Sequence, residues 1–138
     1  MLQLDLIGLF ITLLFLGPQN IFYVFIAILI HEIGRLVFLI LIKSPVEAVV
    51  TGGILNSTVL ATAEPITISL LITLAGPFFC MITSLFIFRM KKKFLKNINE
   101  FINPFCKLDN PWAVINFRFA ILSTIFGIIK LLNIGLLR

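Results

Sequence analysis

Long apolar segments separated by short polar breaks dominate the sequence. Three of them contain the roughly 20 mostly apolar residues that a membrane-spanning helix needs, and they cover residues 21–42, 66–88 and 112–132. A fourth segment, residues 6–17, is short for a span even when it is extended back to Leu2. The pattern predicts an all-α integral membrane protein with three to four transmembrane helices, in a single domain of residues 1–138.

The segment between the second and third long runs has a different character. Residues 46–65 are rich in Val, Thr, Ala and Gly, and they contain Gly52-Gly53. Residues 49–51 and 58–60 are short β-prone pieces. We therefore expect a short membrane-associated β segment here, a strand pair at the membrane surface, in preference to a helix.

Composition strengthens the membrane interpretation. Hydrophobic residues make up 60% of the chain and charged residues only 12%, about half the charged fraction of a typical soluble domain. The mean hydropathy is +1.16. A chain of 138 residues has too little interior to hide so much apolar surface from water. We therefore expect a lipid bilayer to surround it.

The net charge of +5 is concentrated in one place. Five basic residues fall within eight positions, and these are Arg89, Lys91, Lys92, Lys93 and Lys96. A basic run can bind nucleic acid, but this one directly follows an uncharged apolar segment. An anchor that faces anionic lipid is the better interpretation, so no nucleic-acid partner is expected.

The second long segment contains a cluster of ionisable residues near its middle. Its residues 31–35 read His-Glu-Ile-Gly-Arg, although a central charge costs roughly 2.5 to 3.5 kcal/mol on insertion scales. The pattern is one residue away from His-Glu-x-x-His, in which two His bind zinc and the Glu takes a proton from the zinc-bound water. His31 is therefore a candidate metal ligand and Glu32 a candidate catalytic base. Arg35 replaces the second His, and a guanidinium has no lone pair for a metal.

A structural interpretation of the same residues stays open beside this one. Glu32 and Arg35 are spaced i, i+3 on a helix, so they can form an ion pair that lowers the cost of both charges. His31 could then simply hydrogen-bond a backbone carbonyl of a neighbouring helix.

Residues 30–35, Ile-His-Glu-Ile-Gly-Arg, resemble the Ile-His-Glu-Leu-Gly-His signature of the site-2 proteases, the M50 family of intramembrane zinc metalloproteases. In that family a short β segment with Gly-Gly follows the motif helix, and the next helix carries Ala-Gly-Pro near its start. Here Gly-Gly occurs at residues 52–53 and Ala-Gly-Pro at 75–77, in the same order. The resemblance covers roughly residues 22–88 and is closest to the stage IV sporulation type, which lacks a PDZ domain. It implies a buried zinc, cleavage of a transmembrane substrate and a bacterial cytoplasmic membrane.

The family's third zinc ligand is an Asp in an Asn-Leu-Leu-Pro-x-x-x-Leu-Asp-Gly type of motif, and two segments compete for that place. Residues 130–138 match in register and follow a span, but they put Arg138 at the Asp, and the sequence stops before the Gly. Residues 104–110 keep the Pro, the Leu and, as Asp109, the Asp. Topology favours the first alignment, because no span precedes residues 104–110 to carry Asp109 into the bilayer. The residues that could still bind metal are His31 and, on the second alignment, Asp109, with zinc weakly bound or absent, in an M50-like domain that is incomplete at its C-terminus.

Three functional hypotheses follow. The chain is a degenerate protease homologue without catalysis, or an active metalloprotease that uses substitute ligands. The alternative is a small cationic multi-span membrane subunit or regulator that binds partner helices. The expected partners are the lipid bilayer and a transmembrane helix of a substrate or regulatory membrane protein. Orientation is left open, because the basic loop favours the cytoplasm whereas the resemblance places that loop outside.

Overall fold

The fold is known from a computed structural model of the chain. It describes residues 2–43, 46–51, 53–54, 58–61, 66–91 and 99–136. Several residues used in the sequence predictions lie outside these ranges, namely Gly52, Lys92, Lys93, Lys96 and Arg138.

Three long helices form the body of the molecule. They are α2 (Ile21–Leu41), α3 (Ile66–Lys91) and α5 (Pro111–Leu136). Each contains a stretch long and apolar enough to cross a membrane. The three predicted long apolar helices are therefore confirmed, and they are compatible with membrane spans.

The described residues also form two shorter helices. The first helix, α1 (Leu6–Leu16), has only 11 residues, or about 16 Å of helix against the roughly 30 Å of a hydrocarbon core. It is followed by a 3-10 turn at Pro18–Asn20. Helix α4 (Asn99–Ile102) is a single turn in the connection before α5.

An aromatic contact and a side-chain hydrogen bond indicate the direction of the helices. Tyr23 at the start of α2 stacks edge-on against Trp112 at the start of α5, with ring centroids 5.2 Å apart. Helices α2 and α5 therefore run in the same direction. Helix α3 runs between them in the opposite direction, because its Ser84 hydroxyl donates to the carbonyl of Ala113 near the start of α5, and it packs on both neighbours.

Three short strands form a small sheet. They are β1 (Leu2–Leu4), β2 (Val46–Thr51) and β3 (Thr58–Ala61). Strand β2 is central, parallel to β1 and antiparallel to β3. The association of this segment with the membrane surface stays a prediction.

The turn after β2 packs inward onto α1. Gly53 has φ +67°, and a Cβ on it would overlap the Thr12 hydroxyl. That hydroxyl accepts a hydrogen bond from the backbone N–H of Ile54 at 2.9 Å and donates to the carbonyl of Gly8 at 2.7 Å. Glycine is required at residue 53 because the backbone is left-handed and another side chain lies against it.

One buried apolar cluster joins these elements. Ile54 from the turn meets residues of four helices in it, and the members are Leu16, Val24, Ala27, Ile28, Ile54, Cys80, Ile115, Phe119 and Ala120. The outer faces of the long helices are also apolar, for example at Leu29, Ile40 and Phe86, which are more than half exposed. Such faces suit lipid and not water.

Candidate functional site

The ionisable residues of α2 face the inside of the molecule. His31, Glu32 and Arg35 are 4%, 8% and 4% exposed, whereas Ile33, between them in sequence, is 53% exposed. The helical period of 3.6 residues places positions 31, 32 and 35 on one side. The charged side chains are therefore sheltered from lipid, as expected for ionisable groups at membrane depth.

Glu32 lies between the other two polar side chains. Its Oε2 atom is 3.6 Å from Nη1 of Arg35, and its Oε1 atom is 3.5 Å from Nδ1 of His31. Both distances exceed a normal hydrogen bond, but opposite charges this close attract strongly where water is scarce. The predicted interaction between Glu32 and Arg35 is confirmed.

The His31 ring is held between the other two long helices. A Cβ on Gly76 of α3 would overlap the imidazole around Nε2, so only glycine leaves room for it. Phe119 of α5 meets the ring edge-on, with centroids 5.0 Å apart and planes at 72°. The buried Nδ1 atom has no hydrogen-bond partner in the part of the chain that the structure describes. Within that part, Nδ1 therefore does not hydrogen-bond a backbone carbonyl, and Glu32 Oε1 lies 3.5 Å from it.

Small residues let α2 and α3 approach each other at the same level. A Cβ on Gly34 would lie 2.7 Å from Cβ of Phe79. At the next residue of α3, the Cys80 thiol donates to the carbonyl of Ala27 at 3.5 Å. The space beside Gly34 is therefore occupied by Phe79.

The two competing candidates for the third ligand lie at opposite ends of α5. Asp109 is exposed, two residues before α5 begins. Phe119, which contacts His31, lies about 12 Å along the helix axis from the first residue of α5. The structure therefore does not bring Asp109 to His31. The other segment begins at half-buried Lys130. The Arg138 end of that segment lies outside the described residues.

A zinc ion does not fit the described residues. No group of three His, Cys, Asp or Glu side chains among them could hold a metal. A zinc site needs three or four protein ligands, whereas here one imidazole and one carboxylate lie beside a guanidinium. The cluster can hold a buried ion pair, but it offers the positive charge of Arg35 where a second ligand would be required.

A second buried arginine was not among the residues predicted from the sequence. Arg118 of α5 is 5% exposed. Its guanidinium donates to the carbonyls of Leu16 at 2.9 Å and of Asn103 at 2.8 Å, and also to the carbonyl of Glu100. The Cys106 sulfur lies 3.8 Å away. We call this arginine with its acceptors the Arg118 clamp, because it ties α1 and the α4–α5 connection to α5.

Comparison with known proteins adds no relative. No protein-family model matches the chain, and no curated protein or solved structure matches it either. The resemblance to the M50 proteases therefore depends on the motif residues of this chain alone.

Proposed function

We propose that the chain is a site-2 protease-like membrane protein of the M50 type that no longer cleaves its substrates. By family it would be an intramembrane zinc metalloendopeptidase of a bacterial cytoplasmic membrane. In this chain an ion pair has replaced the metal site. What it keeps is the capacity to bind a transmembrane helix of a substrate or of a regulatory membrane protein.

The spatial convergence of the motif residues supports the family assignment. His31 from the first motif lies on Gly76 of the Ala-Gly-Pro motif. Ile54, next to Gly53 of the Gly-Gly motif, belongs to the same core cluster as Phe119, which contacts His31. The first motif and the Ala-Gly-Pro motif thus meet at His31, and the turn after the Gly-Gly motif belongs to the adjoining core cluster, as expected for parts of a single site.

One observation supports the proposed loss of catalysis. The Arg35 guanidinium lies 3.6 Å from Glu32, one helical turn from His31, at the position where the motif places its second histidine. A cation there repels a divalent metal, and it also holds the carboxylate that would have to accept a proton from water. Both functions of the motif are lost through one substitution.

The alternative of a cationic membrane subunit or regulator also has a specific observation in its favour. Arg89 and Lys107 are both exposed, and both lie at the end of the bundle where α3 finishes and α5 begins. Zinc measurements separate this alternative from a degenerate protease, since an unrelated subunit would not recover a metal site through a single change.

The test is the zinc content of the purified chain and of the Arg35→His variant. We expect less than one zinc per chain in the natural protein. Arg35→His should bind zinc weakly, because it restores two imidazoles one turn apart on one helix face. Arg35→Met serves as the matched control, because it removes the charge without adding a ligand and should not bind zinc.

Two further variants complete the experiment. Adding His31→Ala to Arg35→His should abolish the recovered binding, and adding Asp109→Ala decides whether Asp109 is a ligand after all. A stoichiometric zinc in the natural protein that disappears in His31→Ala would refute the proposed loss. Failure of Arg35→His to bind any zinc would favour the cationic subunit.

A further inference from the structure

Three aromatic rings meet where α2 and α5 begin. Phe22 and Tyr23 are the second and third residues of α2, and Trp112 is the second residue of α5. The ring centroids are 5.8 Å apart for Phe22 and Tyr23, 6.4 Å for Phe22 and Trp112, and 5.2 Å for Tyr23 and Trp112. The corresponding ring planes cross at 78°, 88° and 77°. Each ring is thus nearly perpendicular to the other two, like three faces at the corner of a box, and we call the three rings the aromatic corner.

A single cation can lie within reach of all three rings. The centroids form a nearly equilateral triangle with sides of 5.2–6.4 Å. Its centre is about 3.4 Å from each centroid, so a cation about 4 Å above that centre lies about 5.2 Å from every ring, within the roughly 6 Å over which a ring attracts a cation. Phe22 is 64% exposed, and the other two residues are half-buried. A ligand can therefore approach the aromatic corner from outside the molecule.

The aromatic corner lies at the level of the membrane surface. Its residues are at the beginning of two helices that are long and apolar enough to cross a membrane, and Tyr and Trp at such positions occupy the headgroup layer. An ammonium that carries three methyl groups suits aromatic rings well, because it has a positive charge, an apolar surface and no N–H group that requires an acceptor. A primary ammonium is more strongly hydrated and loses more on leaving water.

Charged residues of both signs lie near the aromatic corner. Asp109 and Lys107 precede Trp112 by three and five residues, and both are exposed. Exposed Arg89 lies at the same end of the bundle, near the end of α3. The carboxylate complements the ammonium of a zwitterionic headgroup, and the two basic side chains complement its phosphate. The basic side chains repel a soluble cation that has no phosphate, so these charges favour the zwitterion.

We propose that the aromatic corner binds the quaternary ammonium group of a choline phospholipid, with the phosphate of the same lipid toward Arg89 and Lys107. Free choline carries the same cation, so the experiment has to compare the two sources. Tyr23 precedes His31 by eight residues, or about 12 Å of helix. The site is therefore separate from the His31 cluster and does not depend on the proposed function.

The test uses Trp112 as the reporter, because it is the only tryptophan of the chain. The purified full chain in maltoside micelles is titrated with short-chain phosphatidylcholine, phosphatidylethanolamine or phosphatidylglycerol, and separately with choline chloride. We expect a saturable change in Trp112 fluorescence with phosphatidylcholine, and about fivefold weaker binding of phosphatidylethanolamine, which has the same net charge but a primary ammonium. Phosphatidylglycerol, which has no cation, should give no saturation, and choline should bind more weakly than phosphatidylcholine.

Substitutions of exposed rings test whether the aromatic corner is the site. Phe22→Leu removes one ring but keeps an apolar side chain, and it should weaken binding of phosphatidylcholine about fivefold. Phe22→Tyr keeps the ring and should bind as the natural protein does. Phe25→Leu is the matched control, because Phe25 is also exposed on α2, at 50%, and is not part of the aromatic corner. It should leave the affinity unchanged.

The alternative outcomes are distinct. Equal affinities for the three lipids, equal effects of Phe22→Leu and Phe25→Leu, or no saturation with phosphatidylcholine would overturn the proposal and leave the rings as ordinary interfacial anchors. Choline that binds as tightly as phosphatidylcholine, with the same loss in Phe22→Leu, would overturn the lipid assignment and give the aromatic corner to a soluble quaternary ammonium compound.

Discussion

Two arginines that are buried at membrane depth, Arg35 and Arg118, have different kinds of partner. Arg35 of α2 lies beside a carboxylate, with Glu32 Oε2 3.6 Å from its Nη1 atom. Arg118 of α5 donates to backbone carbonyls of three residues, and those residues are Leu16, Glu100 and Asn103. The first arginine is balanced by an opposite charge, while the second is solvated by the main chain.

This difference indicates which arginine belongs to the candidate site and which stabilises the fold. An ion pair can be removed as a unit, because deleting both charges leaves no uncompensated group. A guanidinium that satisfies several carbonyls cannot be removed in this way, because the carbonyls remain. Arg35 is therefore a residue of the candidate site, and Arg118 is a residue of the fold.

The largest effect is expected from Arg118→Met. The substitution leaves the carbonyls of Leu16 and Asn103 without their donor, and hydrogen bonds to a charged group contribute about 1.5–3 kcal/mol each. We expect the free energy of unfolding in detergent micelles to fall by about 3 kcal/mol. Arg118→Lys, which keeps the charge but not the fork of donors, should recover part of the loss. An unchanged unfolding temperature for Arg118→Met would show that the clamp does not stabilise the fold.

A smaller effect is expected at the other arginine, and here the double variant is decisive. Glu32→Ala leaves Arg35 without its carboxylate and should lower the free energy of unfolding by about 2 kcal/mol. The double change Glu32→Ala with Arg35→Ala should cost less than Glu32→Ala alone. Thermal unfolding of the two single variants and the double variant in micelles measures the coupling. Additive costs would contradict the pair.

The smallest effect, within about 0.5 kcal/mol, is expected from Glu100→Gln. Arg118 binds the backbone carbonyl of Glu100, so the clamp does not need its side-chain charge, and exposed or half-exposed ion pairs add little. Glu32→Gln, the same chemical change at the other arginine, should cost clearly more. Equal decreases in the free energy of unfolding in the two variants would contradict the proposed difference between Arg35 and Arg118.

The long helices could be predicted from sequence because hydrophobic length is a local property. The apolar run 21–42 corresponds to α2 (Ile21–Leu41), and α3 begins at Ile66 as expected. Helix α3 continues past the predicted residue 88 to Lys91, since nothing in an arginine or lysine stops a helix. The Glu32 and Arg35 pair was equally predictable, because both residues belong to one helix and their spacing fixes their distance.

The contacts made by backbone atoms could not be predicted in this way. Every residue has a backbone carbonyl, so no sequence pattern identifies Leu16 and Asn103 as the residues whose carbonyls accept from Arg118. The pairing of β1 with β2 was missed for a similar reason, because a strand of three residues carries no usable periodicity. The packing of His31 on Gly76 required knowing how α2 and α3 cross, which the order of the motifs alone does not state.

The clamp also constrains the order in which the chain assembles. Arg118 follows Leu16 by 102 residues, which a ribosome takes roughly 5–20 s to add. Until then the last carbonyls of α1 have no side-chain donor from α5, and α1 is too short to cross the bilayer by itself. Helix α1 is therefore synthesised well before α5, and its contact with Arg118 can form only after α5 has been made.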